Sequence, residues 1–305
     1  MLGLSIVALG LVFLLIPLQS IAFNYVSGAR RLAQYQAKAG QLDEAEINTL
    51  RAQAAAYNRR LDGSADGAVD PFDGADYVTA SPLEWPENEA FGFISIPRID
   101  EYLPLYLGAS NDHLDRGAAQ IDGTNLPLGG SGTRAVIAGH RGMVDKAGFL
   151  YIDRLVPGDR ILVYALGETL VYEVYGSEDI WPSEYGKLAV IPGQDTLTLL
   201  TCTPYPLNTQ RLLVNAVRVP PHADEPPGAA NEAAAGTPGV TTRGGSGPET
   251  AVATMAAETD GAVDRGILLR KYALIAVVAV VWLSLIVIVV LLIRTVRRYS
   301  RAGAA

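Results

Sequence analysis

The two ends of this chain limit its fold more than anything between them. Residues Leu2 to Phe23 are almost wholly apolar, with Pro17 and Gln19 as the main interruptions, and Tyr272 to Ile293 carry no charge at all. Each stretch is long enough to cross about 30 Å of hydrocarbon as a helix. Arg270 and Lys271 precede the second stretch, and Arg294, Arg297, Arg298 and Arg301 follow it. The heavier basic cluster lies after the span, which predicts a cytoplasmic tail and an extracellular main domain. No basic residue stands ahead of Leu2, as a cleaved secretory signal requires, while Arg30 and Arg31 follow that segment and argue for the opposite orientation. We read an uncleaved anchor over a cleaved signal. Two spans with the middle outside put both termini in the cytoplasm and the protein in the cell membrane as a multi-pass chain.

Between these ends the texture changes four times. We divide the chain into an anchor or signal (1–29), a helical segment with a loop (30–90), a catalytic domain (91–220), a flexible linker (221–264) and the second span with its basic tail (265–305). Arg30 to Leu61 is rich in Ala, Gln, Leu, Glu and Arg and reads as helix, with Gly40 as a break. Gly63 to Pro86 reads as loop. From Phe91 onward come short β-type runs: Phe91 to Ile96, Arg134 to Ala138, Ile161 to Ala165, Thr169 to Tyr175, Thr196 to Thr201 and Leu212 to Val219. Short strands separated by Gly/Pro turns predict a closed or sandwiched, mainly β core, with one helical turn at Gly148 to Arg154. The stretch after Pro220 is dominated by Ala, Gly, Pro, Thr and Glu and holds too few large apolar residues to bury a core.

Cys202 is the only cysteine among the 305 residues. It can form no internal disulfide and no cysteine zinc cluster, so outside the cytoplasm it is a free reactive thiol, an intermolecular partner or an inert buried side chain. It ends the run Thr198-Leu199-Leu200-Thr201-Cys202, just before the turn Thr203-Pro204-Tyr205-Pro206 and nine residues before Arg211. A cysteine nucleophile needs a base or ion-pair partner and an oxyanion stabiliser. Of the three histidines, His140 stands in Ala138-Gly139-His140-Arg141-Gly142 directly after a strand. His113 lies in a polar stretch and His222 in the Pro-rich exit. Arg211 could offer forked hydrogen bonds to a developing oxyanion. Taken alone it reads equally well as a solvated charge at a strand end.

These residues resemble the sortases, membrane-anchored cysteine transpeptidases of Gram-positive bacteria. Thr198 to Cys202 fits their TLxTC signature, Arg211 sits at the spacing of their catalytic arginine, and Gly139-His140-Arg141-Gly142 fits the segment around their histidine. The similarity runs from Phe91 to Val219 and includes Gly123-Thr124-Asn125-Leu126-Pro127-Leu128-Gly129. The resemblance implies an eight-stranded β-barrel. It also implies Cys202 as nucleophile, His140 as proton donor and acceptor, and Arg211 as oxyanion stabiliser, with a thiolate favoured by the cations His140 and Arg211.

Asp70-Pro71-Phe72 resembles the lid motif of the pilin-polymerising, class C group, in which the aspartate pairs with the arginine and the aromatic ring covers the cysteine. Read without the family, the triplet is an ordinary Asp-Pro turn. The class C resemblance implies cleavage of an LPxTG-type sorting signal between Thr and Gly and transfer of the acyl group to a pilin lysine. The alternative is a housekeeping sortase that attaches proteins to the cell-wall precursor; a non-catalytic scaffold is a distant third. Three positions depart from the class C pattern: Gln210 and Arg134 stand where a histidine is frequent, and Ala119-Gln120 replaces a Gly-His pair. They put substrate choice in doubt more than activity. No cofactor, metal or calcium site is expected, and at a formal net charge of −8 no nucleic-acid partner. The partners expected are pilin subunits and the bilayer.

Overall fold

The computed structural model describes residues 2–41, 43–61, 63–65, 67–73, 82–142, 148–220 and 263–302. The linker expected at 221–264 therefore lies almost wholly outside the described residues, as do 74–81 of the loop. The described chain divides into two units. One holds the apolar ends, 1–27 and 264–305; the other holds 28–142 with 148–220.

In the first unit, helices α1 (Leu2–Ala39) and α4 (Arg265–Ala302) each include a segment long and apolar enough to cross a membrane, Ser5–Ala39 and Arg265–Thr295. Lys271 of α4 sits over the ring of Tyr25, 4.6 Å from its centroid.

In the second unit, eight strands close into a barrel in the order β1-β2-β3-β4-β7-β8-β6-β5. They are β1 (Gly92–Ile96), β2 (Glu101–Leu107), β3 (Ala118–Gln120), β4 (Thr133–Ala138), β5 (Arg160–Ala165), β6 (Glu168–Ile180), β7 (Asp195–Thr203) and β8 (Gln210–Arg218). The pairings β2–β3 and β4–β7 are parallel and the rest antiparallel. This is the eight-stranded, mainly β barrel that the resemblance implied.

Six of these strands fall where β-branched and apolar residues alternate. The other two escape pattern reading. β2 carries Pro104, which removes a donor and normally argues against a strand, and β3 is three residues with two alanines. β6 runs to Ile180, past Tyr175, because Gly176 marks a bulge against β8 rather than an end. The helical turn expected at Gly148 to Arg154 is a 3-10 turn over Ile152–Arg154.

Outside the barrel, α1 ends at Ala39, one residue before Gly40, and α2 spans Glu44–Arg60 with Glu44 and Glu46 in its first turn and Arg59 and Arg60 in its last. That charge order complements the helix dipole. Leu50 and Ala54 of α2 bury against Phe91, Leu107 and Leu126. Leu32 of α1 buries against Phe93, Leu162 and Tyr164, and Tyr35 donates to the Phe91 carbonyl at 2.6 Å. The helices thus brace one wall and leave the ends of β4, β7 and β8 to the loop that follows α2.

A candidate active site at the ends of β4, β7 and β8

Strand periodicity collects the site on one face. Side chains two apart point the same way, so Arg134, Val136 and Ala138 of β4 share a face with Thr198, Leu200 and Cys202 of β7 and with Arg211, Leu213 and Asn215 of β8. The register agrees: Val136 lies beside Thr198, Ala138 beside Leu200, Thr198 opposite Asn215, Leu200 opposite Leu213 and Cys202 opposite Arg211. Cys202 and Arg211 thus sit on one rung at the open end of the β7–β8 pair.

His140 stands two residues past Ala138. The ladder continues beyond the strand, because Gly139 donates to the Leu200 carbonyl at 3.1 Å and the Thr201 hydroxyl donates to the Gly139 carbonyl at 2.7 Å. Carried two residues on, the parallel register brings His140 alongside Cys202. Position 139 accepts only glycine: a Cβ there would lie 2.8 Å from the fully buried ring of Phe149. The Phe149 amide in turn donates to the His140 carbonyl at 2.9 Å. The ring Nε2 of His140 faces Asp115 Oδ1 at 3.5 Å.

The loop after α2 covers this end. Asp70 and Arg211 form a buried ion pair: Nε donates to both carboxylate oxygens at 3.2 Å and Nη2 to Oδ2 at 2.9 Å. The Asp70 carboxylate also accepts from the Phe72 amide at 3.0 Å, which fixes the turn. The Phe72 ring lies 5.5 Å from the His140 ring, and the Arg211 guanidinium sits 5.4 Å from the Phe72 centroid. Two backbone attachments hold the loop further back. Val190 donates to the Gly63 carbonyl at 2.9 Å, and Gly67 lies so close to Gly123 that a Cβ at 123 would fall 2.1 Å from the Gly67 oxygen. Asp70, Pro71 and Phe72 therefore lie together with Arg211 and His140, while His222 falls outside the described residues.

The electrostatics differ from the sequence expectation. The Cys202 thiol is 9% exposed and is pushed up, not down. Burial is the largest cause; Arg211 and Arg141 pull the other way, and Asp70 adds to the rise. Arg211 still favours the thiolate, but Asp70 offsets part of that pull and burial outweighs what is left. In this closed arrangement Cys202 is held as a thiol.

Three residues near the site carried no sequence signal of their own. Arg141 donates to the Cys202 carbonyl at 3.3 Å and the Thr203 hydroxyl at 2.8 Å, and pairs with Asp153 at 3.0 Å, so it ties the histidine loop to the end of β7. Asp115 comes from α3 (Asn111–Arg116), a helix of six residues. Tyr185, from the 3-10 turn Tyr185–Leu188 between β6 and β7, packs against the same apolar cluster as Phe72. His113 is not in a polar environment: it is 4% exposed, stacked 5.0 Å from Tyr106, with its ring nitrogens at 2.7 and 2.8 Å from the Gly108 and Glu87 carbonyls. It belongs to the fold rather than to the site.

Arg134, Gln120 and Gln210, the departures from pattern, occupy different settings. Arg134 is buried and fully engaged, Gln120 is buried with its side-chain nitrogen bonded to the Ile121 and Thr124 carbonyls but its oxygen without a partner among the described residues, and Gln210 is half-buried on the rung next to Arg211. Among the described residues no group of acidic, histidine and cysteine side chains could hold a metal.

Comparison with known proteins points one way. Residues 94–219 match the Sortase domain family. The chain is 28% identical over 152 residues to sortase A of Bacillus anthracis, covering 46% of this chain and 70% of that one. It spans 42% and 51% of two further curated sortases, from Streptomyces coelicolor and Streptococcus agalactiae. Among solved structures it is similar to sortase C of Streptococcus pneumoniae at 33% identity and a TM-score of 0.59, covering 64% of this chain and 98% of that one. It is also similar to the pilus-related sortase C of Group B Streptococcus at 36% identity and a TM-score of 0.55, covering 64% and 96%.

Proposed function

The chain belongs to the sortase family of cysteine transpeptidases, within its class C group, and from that premise we propose that it cleaves an LPxTG-type sorting signal between Thr and Gly and passes the acyl group to a lysine amine of a pilin subunit. The observation that carries the proposal is the rung Cys202–Arg211, whose guanidinium is occupied by a carboxylate brought in on a separate loop. A bound anion that belongs to the protein itself marks where a substrate's developing anion fits.

In the proposed reaction the loop withdraws first, which frees Arg211, hydrates the thiol and lets its proton pass to His140. The Cys202 Sγ, as thiolate, bonds to the threonine carbonyl carbon, and the carbonyl π electrons move to the oxygen, which Arg211 stabilises. Collapse of this intermediate breaks the C–N bond. His140 gives a proton to the departing glycine amine, leaving a thioester on Cys202. The incoming lysine amine gives a proton to His140 as its nitrogen bonds to the thioester carbonyl carbon; collapse breaks the C–S bond and returns Cys202 as thiolate, so the product is an isopeptide bond. One hard acyl transfer becomes two easier ones.

The two apolar helices support a catalytic domain held at the outer face of a cell membrane, with Asp70, Pro71 and Phe72 as its lid. The Asp70–Arg211 pair favours class C over the housekeeping reading, in which no loop carboxylate is needed at that place.

The deciding experiment incubates the full-length chain in detergent, wild type and Asp70→Ala, with a sorting-signal peptide, and weighs the protein by mass spectrometry. A thioester adduct on Cys202, absent in Cys202→Ala and more abundant in Asp70→Ala, is the expected result. No adduct in either form would sink the proposal.

A further inference from the structure

Tyr185 holds a hydroxyl that is fully buried yet has no hydrogen-bond partner among the described residues. Buried polar groups are nearly always satisfied, so an exception asks for a reason. Here the surroundings are polar. The hydroxyl is close enough to both Asp70 and Arg211 to interact with each through charge and side-chain hydrogen bonding, although neither contact reaches full hydrogen-bond geometry. The Asp70 oxygens already take three bonds from the Arg211 guanidinium and one from the Phe72 amide, so the tyrosine is at most a weak further partner.

The tyrosine is not free to turn away either. Its turn is pinned from within the barrel by Arg134, whose Nη1 donates to the Lys187 carbonyl at 2.7 Å and the Ala189 carbonyl at 3.0 Å. Trp181 closes the other side by donating to the Glu184 carboxylate at 2.7 Å. A fixed donor therefore faces the place that Asp70 fills.

We propose that Tyr185 is a second oxyanion donor: when the loop withdraws, its O–H and the Arg211 guanidinium together bind the oxygen that becomes negative on the substrate's scissile carbonyl. Burial first, and then the charge of Asp70, push the phenol well up, so it remains a neutral donor across working pH. Asp70 would occupy the oxyanion position in the closed form, where it engages Arg211 fully and Tyr185 only weakly. Arg134 is then a positioning residue that acts through the turn.

The inference rests on the proposed acyl transfer through Cys202, so the test separates the two. The full chain in detergent carries Asp70→Ala, to release the loop, with and without Tyr185→Phe, which keeps the ring and removes the donor. Two rates are measured: acylation of Cys202 by a sorting-signal peptide, and its alkylation by iodoacetamide, a displacement at carbon that forms no oxyanion. Loss of one oxyanion donor lowers the chemical step by about 10²–10³ where it has been measured; for a donor that shares the task with a guanidinium we expect about 10- to 100-fold. The fall should appear in kcat, with KM and the alkylation rate unchanged. Equal acylation rates would overturn the inference, and so would a matching fall in alkylation, which would make Tyr185 a packing residue. No acylation without the Tyr185 change would instead remove the proposed function on which the inference stands.

Discussion

Arg134 and Arg211 lie on one face of the same barrel, 5% and 4% exposed, and are opposite in kind. Arg134 sits at the inner end, where Nε donates to the Thr198 hydroxyl, Nη1 to two carbonyls and Nη2 to the Asn215 side-chain oxygen. Every one of these acceptors is neutral and built into the barrel wall or the turn beside it. Arg211 sits further along the face, four residues of strand, or about 13 Å, from the Thr198–Asn215 rung that holds the Arg134 guanidinium, and its main acceptor is a carboxylate on a loop 141 residues distant in sequence. Burial lowers the affinity of Arg134 for its proton, and the charges of Tyr175 and Glu178 offset this only in part. Burial acts the same way on Arg211, but hydrogen bonding and charge from Asp70 reverse the sign. A buried cation held by immobile neutral groups is scaffold. One held by a removable anion is a binding site with its occupant in place.

The largest expected effect falls at the outer end. Arg211→Ala removes the oxyanion partner and leaves Asp70 buried without a counter-charge. Acylation of Cys202 should drop by about 10²–10³, and stability should fall by roughly 3–5 kcal/mol, as when one member of a buried pair is deleted. The double variant Asp70→Ala/Arg211→Ala separates the two losses. Its thermal midpoint should recover most of the way while acylation stays at the single-variant level. Recovery of both would mean that Arg211 matters only for holding the loop.

Arg134→Met should do the reverse. It strands the Lys187 and Ala189 carbonyls, while the Asn215 oxygen keeps the Thr198 hydroxyl, for a loss of roughly 2–4 kcal/mol. The alkylation rate of Cys202 should change little, because Val136, Leu200 and Leu213 separate the two ends. Denaturant titration and alkylation kinetics on the same preparation check this. A large rise in thiol reactivity would show that the inner network also sets the loop, and the two ends would no longer be independent.

This division also explains what could be read from the sequence. Cys202, His140 and Arg211 were legible because each stands at or just past a strand end, where residue type and spacing say nearly as much as coordinates. Asp70 and Phe72 were legible only through likeness to other proteins, since an Asp-Pro turn has no chemistry until it meets a cation. Arg134 read as a mere departure from pattern: its place in β4 was visible, but not that three elements would wrap its guanidinium. Tyr185 and Asp115 were hidden for the same reason. Each acts where two segments far apart in sequence cross, and neither periodicity nor spacing records a crossing. The thiol's protonation was misjudged because a list of nearby cations omits both burial and the carboxylate that partly offsets one of them.

Asp70→Ala tests that last point. Removing the carboxylate withdraws a negative charge that opposes the thiolate, leaves the pull of Arg211 unbalanced and opens the thiol to water. All three lower the Cys202 pKa. In the wild type, alkylation should climb only above the ordinary thiol range near 8.5. In the variant the inflection should move to lower pH and the rate at pH 7 should rise by about tenfold. An inflection that stays in place would mean the loop neither shields the thiol nor competes for Arg211.

The smallest effect is expected at Asp115, and it marks where the site ends. Its carboxylate faces His140 Nε2 at 3.5 Å, but its side chain is 60% exposed, on a short helix beside solvent. An ion pair of that kind contributes about 0.2–1 kcal/mol, which corresponds to less than a sixfold change in rate. Asp115→Asn keeps the size and a hydrogen-bonding oxygen and removes only the charge. Acylation should fall about two- to fivefold at low salt. In 1 M salt, where the screening length shrinks to about 3 Å, the variant and the wild type should converge, because the charge that distinguished them is screened. A hundredfold loss that persists in high salt would place Asp115 with Arg211 among the groups fixed for chemistry, and the boundary drawn between a poised outer end and an inert scaffold would have to move outward to include α3.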